Sequence, residues 1–264
     1  MHLFLSPHAD DAPLSCGVTL HQLIANGERC IVYTFCDGDA PNPPPDTPIV
    51  NHLHAEWEAG AEPMRLRRIE DEDALRVLGV TEIYHGLLLD CIYRTDSEGT
   101  PLYTAVDSFK GTVHPRDREL QLERLDALPL PFGDEITHLH APAAVGMHVD
   151  HQIVRDWALR LKARYPSVVL SFYEDYPYAE RAEAIDAALD ILNQQVSALT
   201  LNAYPASGAD LSAKLMSLRE YVSQIGMFWD STDEMDTAIT RFMTLSGQRA
   251  GLEGPAEREW IATV

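Results

Sequence analysis

The chain has few basic residues and few cysteines, and each shortage argues against a class of function. Its 264 residues contain 20 Lys and Arg against 41 Asp and Glu, which gives a formal net charge of −21. Because such an acidic surface repels phosphate backbones, we predict no nucleic-acid partner. The four cysteines, Cys16, Cys30, Cys36 and Cys91, include no Cys-x-x-Cys pair. Neither a zinc knuckle nor a disulfide framework is therefore expected.

Long apolar runs and a dinucleotide-binding glycine motif are also missing. No apolar run approaches the roughly 20 residues that cross a bilayer, and the first residues contain no signal-type apolar stretch. We therefore expect a cytoplasmic protein without a membrane span, and the sequence leaves homo-oligomerisation open. No Gly-x-Gly-x-x-Gly follows the first apolar segment, which argues against a dinucleotide cofactor.

Alternating strand and helix patterns predict an α/β fold. Apolar and β-branched segments predict strands at residues 3–5, 29–35, 82–85, 136–140 and 168–173. Helical periodicity predicts helices at residues 13–24, 50–80 (interrupted at Pro63), 151–165, 181–193 and 210–225, with loops at 37–48 and 87–117. This alternation indicates a Rossmann-like, mostly parallel twisted sheet with helices on both faces. We expect one domain over residues 1–264, its C-terminal part being an added subregion of helix and strand.

Two motifs that combine histidine and aspartate follow predicted strands. Ser6-Pro7-His8-Ala9-Asp10-Asp11 comes after the first strand, and His148-Val149-Asp150-His151 comes after the strand at 136–140. Because open α/β sheets bind ligands at the carboxyl ends of their strands, the two motifs can meet at one edge. Together they offer two imidazoles and a carboxylate with a fourth position open, as in a catalytic zinc site. Asp10 and His148 would then remain for proton transfer and charge stabilisation.

Each of these patterns also has an ordinary structural explanation. A single His-x-x-His on a helix often arises by chance, and Asp-Asp after a strand is a common helix N-cap. The presence of both motifs favours the metal site. His52 and Glu56 are better explained as the polar face of a helix, and residues 37–39 (Asp-Gly-Asp) as a turn rather than an ion site. Tyr176 and Tyr178 are either packing aromatics or substrate contacts.

The pair of motifs resembles the PIG-L or LmbE-like family of zinc-dependent N-acetylglucosaminyl deacetylases. The similarity extends to Arg67-Arg68-x-Glu70-Asp71 before Leu78-Gly79-Val80, Leu89-Asp90, Glu174-Asp175-Tyr176-Pro177-Tyr178 and Lys214…Tyr221-x-Ser223-Gln224. It departs from the family at Ala9 and Ala12, where the usual pattern reads His-Pro-Asp-Asp-Glu. Neither position supplies a metal ligand or the base, so the departure does not exclude activity.

The resemblance implies a metal centre and two catalytic residues. By it, His8, Asp11 and His151 bind zinc, with iron(II) as an alternative metal. Asp10 is the general base for the attacking water. His148 stabilises the oxyanion and is also a candidate general acid. The implied reaction removes the N-acetyl group from an N-acetylglucosamine-type amino sugar or glycoconjugate, which gives acetate and a free amine.

The resemblance also implies residues around this centre. Asp150 would orient an imidazole, and Arg67 and Asp90 would contact sugar hydroxyls or the aglycone. Alternatively, Arg67 pairs with Glu70 along its helix as surface decoration. The net charge favours a neutral or cationic substrate presented to an acidic rim.

Two other functions are kept as alternatives. A divalent-metal phosphohydrolase would use Asp10, Asp11 and Asp37 with magnesium or manganese, but His148 and His151 argue against it. A non-catalytic sugar-binding relative is disfavoured because the base and the ligand set are both intact.

Overall fold

The computed structural model describes residues 1–58, 60–105, 107–130 and 133–264, with only the backbone of Asp134. Ala59, inside the predicted helix 50–80, and Val106, inside the predicted loop 87–117, lie outside the described residues. The strands are β1 (His2–Ser6), β2 (Cys30–Thr34), β3 (Glu82–His85), β4 (His138–Pro142), β5 (Val169–Tyr173), β6 (Ala198–Pro205) and β7 (Ala256–Thr263). The helices are α1 (Asp11–Ala25), α2 (Pro48–Trp57), α3 (Pro63–Val77), α4 (Pro115–Ala127), α5 (Val149–Arg164), α6 (Ala182–Leu192), α7 (Gly208–Leu218), α8 (Val222–Phe228) and α9 (Thr232–Arg249).

The strands form one mixed sheet in the order β3-β2-β1-β4-β5-β7-β6. Neighbours from β3 to β5 are parallel, whereas β7 pairs antiparallel with both β5 and β6. The predicted fold class is confirmed, and all five predicted strands are present within a few residues of their expected bounds. Strand order reverses between β1 and β4, which is where sheets of this kind bind ligands.

Helices cover both faces of the sheet because side chains alternate along β1. Leu3 and Leu5 pack into the same apolar cluster as Trp157 of α5. Phe4 belongs to a second cluster with Cys16 of α1. The four cysteines are all free and buried, as the absence of a disulfide pattern predicted.

Pro63 interrupts the helical stretch 50–80, as predicted. It is the first residue of α3, a position where a missing N–H and a fixed φ cost nothing, so the stretch forms two helices. Other elements differ from the sequence prediction. The predicted helix 210–225 is also two helices, α7 and α8. Helices α4 and α9 and strands β6 and β7 were not predicted. Strand β7 lacks the apolar pattern of a buried strand, because its buried residues Glu257, Arg258 and Glu259 make polar contacts.

A buried ion pair joins α7 to β7 and α1. The Lys214 ammonium is 1% exposed and lies 2.6 Å from Oε1 of Glu257. It also donates to the carbonyl of Leu14 at 2.6 Å, while Glu257 accepts from the backbone N–H groups of Val18 and Thr19. Removing either charge therefore leaves the other buried without its counter-charge.

We expect Lys214→Met to lower the free energy of unfolding by about 3–5 kcal/mol, because Glu257 would keep a buried, unpaired charge. The double variant Lys214→Met/Glu257→Gln removes that charge but keeps an acceptor for the α1 backbone, and it should recover part of the loss. Urea unfolding of the three proteins measures this. A single variant as stable as the parent would show that the pair contributes nothing.

No helix in the described part of the chain is both long enough and apolar enough to cross a membrane.

Candidate metal centre

The two histidine-aspartate motifs meet at the carboxyl ends of the adjacent strands β1 and β4. His8 and Asp11 come from the turn that leads from β1 into α1, and His148 and His151 lie at the start of α5. These four residues are between 1% and 8% exposed and line a cavity of about 420 Å³. The two motifs therefore meet in the folded chain, as predicted.

Three side chains present their donor atoms at a spacing that suits a metal ion. Oδ2 of Asp11 lies 3.2 Å from Nδ1 of His8 and 3.2 Å from Nε2 of His151. A tetrahedral zinc with bonds near 2.0–2.1 Å separates its ligand atoms by about 3.3 Å. Burial acts to raise the pKa of Asp11, but the two imidazoles outweigh it and hold that pKa well below its usual range. The carboxylate is therefore ionised, as a metal ligand must be.

The second nitrogen of each of these imidazoles contacts another carboxylate. Asp150 lies 3.0 Å from Nε2 of His8, and Asp175 lies 2.5 Å from Nδ1 of His151. Such contacts determine which ring nitrogen remains free for a metal. Asp175 belongs to the 174–178 segment that resembles the family, but no role was predicted for it. Asp175 follows the end of β5, just as both recognised motifs follow parallel strands. This position was the signal that could have identified it as a site residue.

Asp10 is placed in the cavity by a strained backbone. It occupies the N-cap position of α1 with φ of 131° and makes no side-chain cap hydrogen bond, so the ordinary cap explanation fails for it. Nη2 of Arg67 lies 3.3 Å from the Asp10 carboxylate and donates to the carbonyl of Ala9 at 3.0 Å. Burial raises the pKa of Asp10 to about 7, and the positive charge of Arg67 opposes that rise.

Arg67 does not pair with Glu70, so the alternative of surface decoration is wrong. Arg67 is 5% exposed, and its guanidinium carbon lies 4.8 Å from the centroid of the Trp57 ring. Glu70 instead accepts from the backbone N–H and the hydroxyl of Ser223 at 2.8 and 2.5 Å. Arg67 therefore lies at the floor of the cavity, where it contacts Asp10.

His148 is poised as a neutral hydrogen-bond donor. Its Nδ1 accepts from the backbone N–H of Asp150 at 3.2 Å, which puts the proton of a neutral ring on Nε2. Burial, reinforced by His8 and His151, holds the pKa of His148 well below its usual value. One ring nitrogen from each of His8, His148 and His151 also lies within 4.8 Å of the other two, so distance alone permits a three-imidazole metal site as well. We favour the set with Asp11, which contacts two imidazoles at 3.2 Å.

The charge at the mouth of the cavity is opposite to the prediction. Among the lining residues that the structure describes, the three carboxylates, including Asp90, are buried on the floor. The charged or titratable side chains nearer the surface are basic: His52, Lys110 and Arg181. The predicted acidic rim was wrong, because the overall charge of −21 says nothing about how individual charges are placed.

The Asp37–Asp39 segment is a structural turn. Asp37 is fully buried, accepts from the backbone N–H of Leu87 at 2.9 Å and pairs with His85. A Cβ at Gly38 would lie 2.4 Å from the carbonyl oxygen of Leu87, so only glycine fits. In the described chain Asp37 does not line the cavity, which removes a carboxylate that the phosphohydrolase alternative needs.

The remaining candidates are one pair on α2 and two tyrosines of the cavity wall. His52 and Glu56 lie 4.0 Å apart and are about half exposed on α2, which suits a polar helix face. Tyr176 and Tyr178 both line the cavity, and the ring of Tyr178 lies 5.9 Å from that of His151. Glycine is required at Gly146, since a Cβ there would lie 2.6 Å from the Tyr178 ring.

The chain is similar in sequence to two deacetylases. The 2'-N-acetylparomamine deacetylase of Niallia circulans is 29% identical over 187 residues, or 67% of this chain and 66% of that protein. The deacetylase of the same name from Streptomyces fradiae is also 29% identical, over 70% of this chain and 60% of its own length. The chain thus spans somewhat less than two thirds of both relatives.

A solved structure has the same fold over almost the whole chain. The zinc-inhibited form of teicoplanin deacetylase Orf2 matches with a TM-score of 0.79 at 26% identity, over 99% of this chain and 97% of that one. Residues 3–162 match the family described as PIG-L, GlcNAc-PI de-N-acetylase. Since that match covers more than half of the chain, the protein belongs to the PIG-L family.

Proposed function

We propose that the protein is a metal-dependent N-deacetylase that hydrolyses the N-acetyl group of an N-acetylglucosamine-type amino sugar or glycoconjugate. The observation that carries this proposal is the position of Asp11, whose Oδ2 lies 3.2 Å from both His8 and His151. Asp10 and His148, which line the same cavity, are then left for proton transfer and charge stabilisation. Family membership and the deacetylases among its relatives support the same class of reaction. We also propose that residues 1–264 act as one domain, since β6 and β7 extend the sheet that carries the site.

The metal that we propose is zinc, with iron(II) as the alternative. Two imidazoles and one carboxylate suit zinc better than magnesium, which prefers oxygen ligands. His8, Asp11 and His151 would hold it. When bound, zinc lowers the pKa of water towards ~7 and polarises a carbonyl group.

The side chains around the metal site supply proton transfer and charge stabilisation. Asp10 accepts the proton of the attacking water and returns it to the amine nitrogen as the C–N bond breaks, which gives acetate and the free amine. A pKa of about 7 suits a base that works near neutral pH. Nε2–H of His148 donates to the acetyl oxygen as negative charge develops there. Because His148 is neutral, stabilising the oxyanion suits it better than the alternative role of general acid. Asp90, on the cavity floor, accepts hydrogen bonds from sugar hydroxyls.

The proposal is tested by acetate release from a panel of N-acetylglucosaminides, together with elemental analysis of protein purified without added metal. We expect close to one equivalent of zinc or iron per chain, acetate from at least one compound, loss of activity on chelation and recovery on adding zinc. Activity that survives chelation would overturn the metal assignment. Hydrolysis of phosphomonoesters instead of amides would favour the phosphohydrolase, and binding without turnover the non-catalytic relative.

Removing Arg67 should move the pH profile. Its positive charge lowers the pKa of Asp10, so in Arg67→Met that pKa rises and Asp10 becomes an ionised base only at higher pH. We expect the acidic limb of kcat/KM to shift upwards by about one pH unit or more. Arg65→Gln, a change on the same helix at a residue paired with Glu62, should leave the limb in place. If Arg67 only contacted sugar, KM would rise and the limb would not move.

A further inference from the structure

The mouth of the cavity carries two exposed cations in an otherwise acidic chain. Lys110 and Arg181 both line it and are both exposed. Within the described residues, neither forms an ion pair. The carboxylates on the floor are engaged, since Asp10 contacts Arg67 and Asp11 contacts two imidazoles. They are therefore poorly placed to neutralise the two cations.

The backbone around Lys110 pairs with the backbone around His148. Lys110 forms an isolated antiparallel bridge with His148. On either side of it, Gly111 donates to the carbonyl of Met147, and the N–H of Val149 donates to the carbonyl of Phe109, both at 2.9 Å. The segment that carries this lysine thus runs along the start of α5, where the histidines of the site begin.

Two aromatic rings hold the ammonium group of Lys110 above the site. Nζ lies 5.4 Å from the centroid of Phe109 and 5.2 Å from that of Tyr178, within the range of cation–π attraction. The same rings contact the site, because Phe109 lies 5.0 Å from the His148 ring and Tyr178 lies 5.9 Å from the His151 ring. One layer of aromatic side chains therefore separates the lysine charge from these histidines.

Arg181 brings a second cation to the same mouth. It follows the short turn Tyr178–Glu180 that also carries the aromatic ring under Lys110. At the N-cap position of α6 its side chain makes no cap hydrogen bond. A guanidinium has five N–H donors and no acceptor, so a partner for it must bring an anionic or carbonyl oxygen.

We propose that the aglycone of the substrate carries an anionic group, a carboxylate or a phosphate ester, which Lys110 and Arg181 bind while the N-acetyl group reaches the floor. This rests on the proposed deacetylase function. Opposite charges at the mouth favour such a ligand, and a cationic aglycone meets two like charges there. The acidic surface elsewhere repels polyanions, so a single anionic group fits better than a chain of them.

Binding can be measured without turnover in the Asp10→Asn protein, by calorimetry at low and high salt. Four ligands are compared: a carboxymethyl N-acetylglucosaminide, N-acetylglucosamine 1-phosphate, the neutral methyl glycoside and a cationic aminoethyl glycoside. We expect at least one anionic ligand to bind about tenfold more tightly than the neutral one, and the cationic ligand to bind more weakly. The differences should shrink at high salt, since both charges are exposed. The two anionic ligands distinguish a carboxylate from a phosphate.

Substitution then assigns the preference to the two residues. In the same background, Lys110→Gln/Arg181→Gln should lose most of the preference for the anionic ligand while binding the neutral glycoside as before. Arg76→Gln removes a charge at the C-terminal end of α3, from a residue that is not among the described lining of the cavity, and should change neither affinity. Lys110→Arg keeps the charge and should keep the preference.

The outcomes separate this inference from the deacetylase proposal. Equal affinity for both anionic ligands and the neutral ligand, or a preference that survives the double substitution, would overturn the inference even if acetate is released from the methyl glycoside. Conversely, a charge preference that depends on both residues supports the anion site even if the parent protein, loaded with metal, releases acetate from none of the four. That second result would count against the deacetylase alone.

Discussion

Asp10→Asn should keep its metal and lose about 10²–10⁴-fold of kcat, the usual cost of losing a general base. The amide has the shape of the carboxylate and still accepts a hydrogen bond from Arg67, but it cannot take a proton from the attacking water. Elemental analysis checks that the metal is retained, and the rate of acetate release checks the loss of kcat. The matched control is the neighbouring Asp11→Asn, which should lose its metal as well as its activity.

This comparison decides between two adjacent carboxylates. Asp11 contacts both imidazoles at 3.2 Å, whereas Asp10 contacts Arg67. If Asp10→Asn lost the metal and Asp11→Asn kept it, the assigned roles of ligand and base would be reversed. If both lost it, both would be ligands, and no carboxylate would remain free as the base.

His151→Ala should release the metal, while His148→Ala should retain it and lose about 10²–10³-fold of kcat, as when one oxyanion donor is removed. His148 is assigned to charge that exists only in the transition state, so its loss acts on rate rather than on metal affinity. Metal titration and kcat of the two variants separate these effects. Equal loss of metal in both would favour the three-imidazole site that the spacing of His8, His148 and His151 also permits.

Asp175→Asn extends this test to the carboxylate that contacts His151. It should weaken metal binding by about 10–100-fold, because Asp175 lies 2.5 Å from the ring nitrogen that does not face the site. An unchanged metal affinity would show that the packing of α5 alone orients His151.

The departure from the usual family pattern at Ala12 has a structural counterpart. Ala12 is fully buried and packs in the apolar cluster with Phe4 and Cys16 on one face of β1. Its backbone N–H donates to the hydroxyl of Ser6. A glutamate here would place a carboxylate among apolar side chains, so alanine suits this core.

Much of the site could be predicted because it depends on order along the chain. His8 and Asp11 directly follow one apolar strand, and His148 and His151 come soon after another. In a parallel sheet the carboxyl ends of strands share an edge, so the meeting of the two motifs follows from topology. The family and the fold class, predicted on this basis, are confirmed. The role of each residue remains a prediction that the variants above test.

Other features could not be predicted because local sequence does not express them. Strand β7 reads as polar, since its buried charges are paired only with residues far away in the chain. Asp175 is one aspartate among many until β5 brings it to within 2.5 Å of His151. The basic mouth is likewise hidden in a total charge of −21, because a sum of charges contains no positions.

The sequence by itself determined which atoms are available, namely imidazole nitrogens and carboxylate oxygens placed after strands of a parallel sheet. Tertiary structure decided the surroundings of each of them. Asp150 contacts Nε2 of His8, Asp175 contacts Nδ1 of His151, and burial raises the pKa of Asp10 against the opposing charge of Arg67. These properties depend on distances and on the exclusion of water, and residues as far apart as His8 and Asp150 acquire both only when the chain folds.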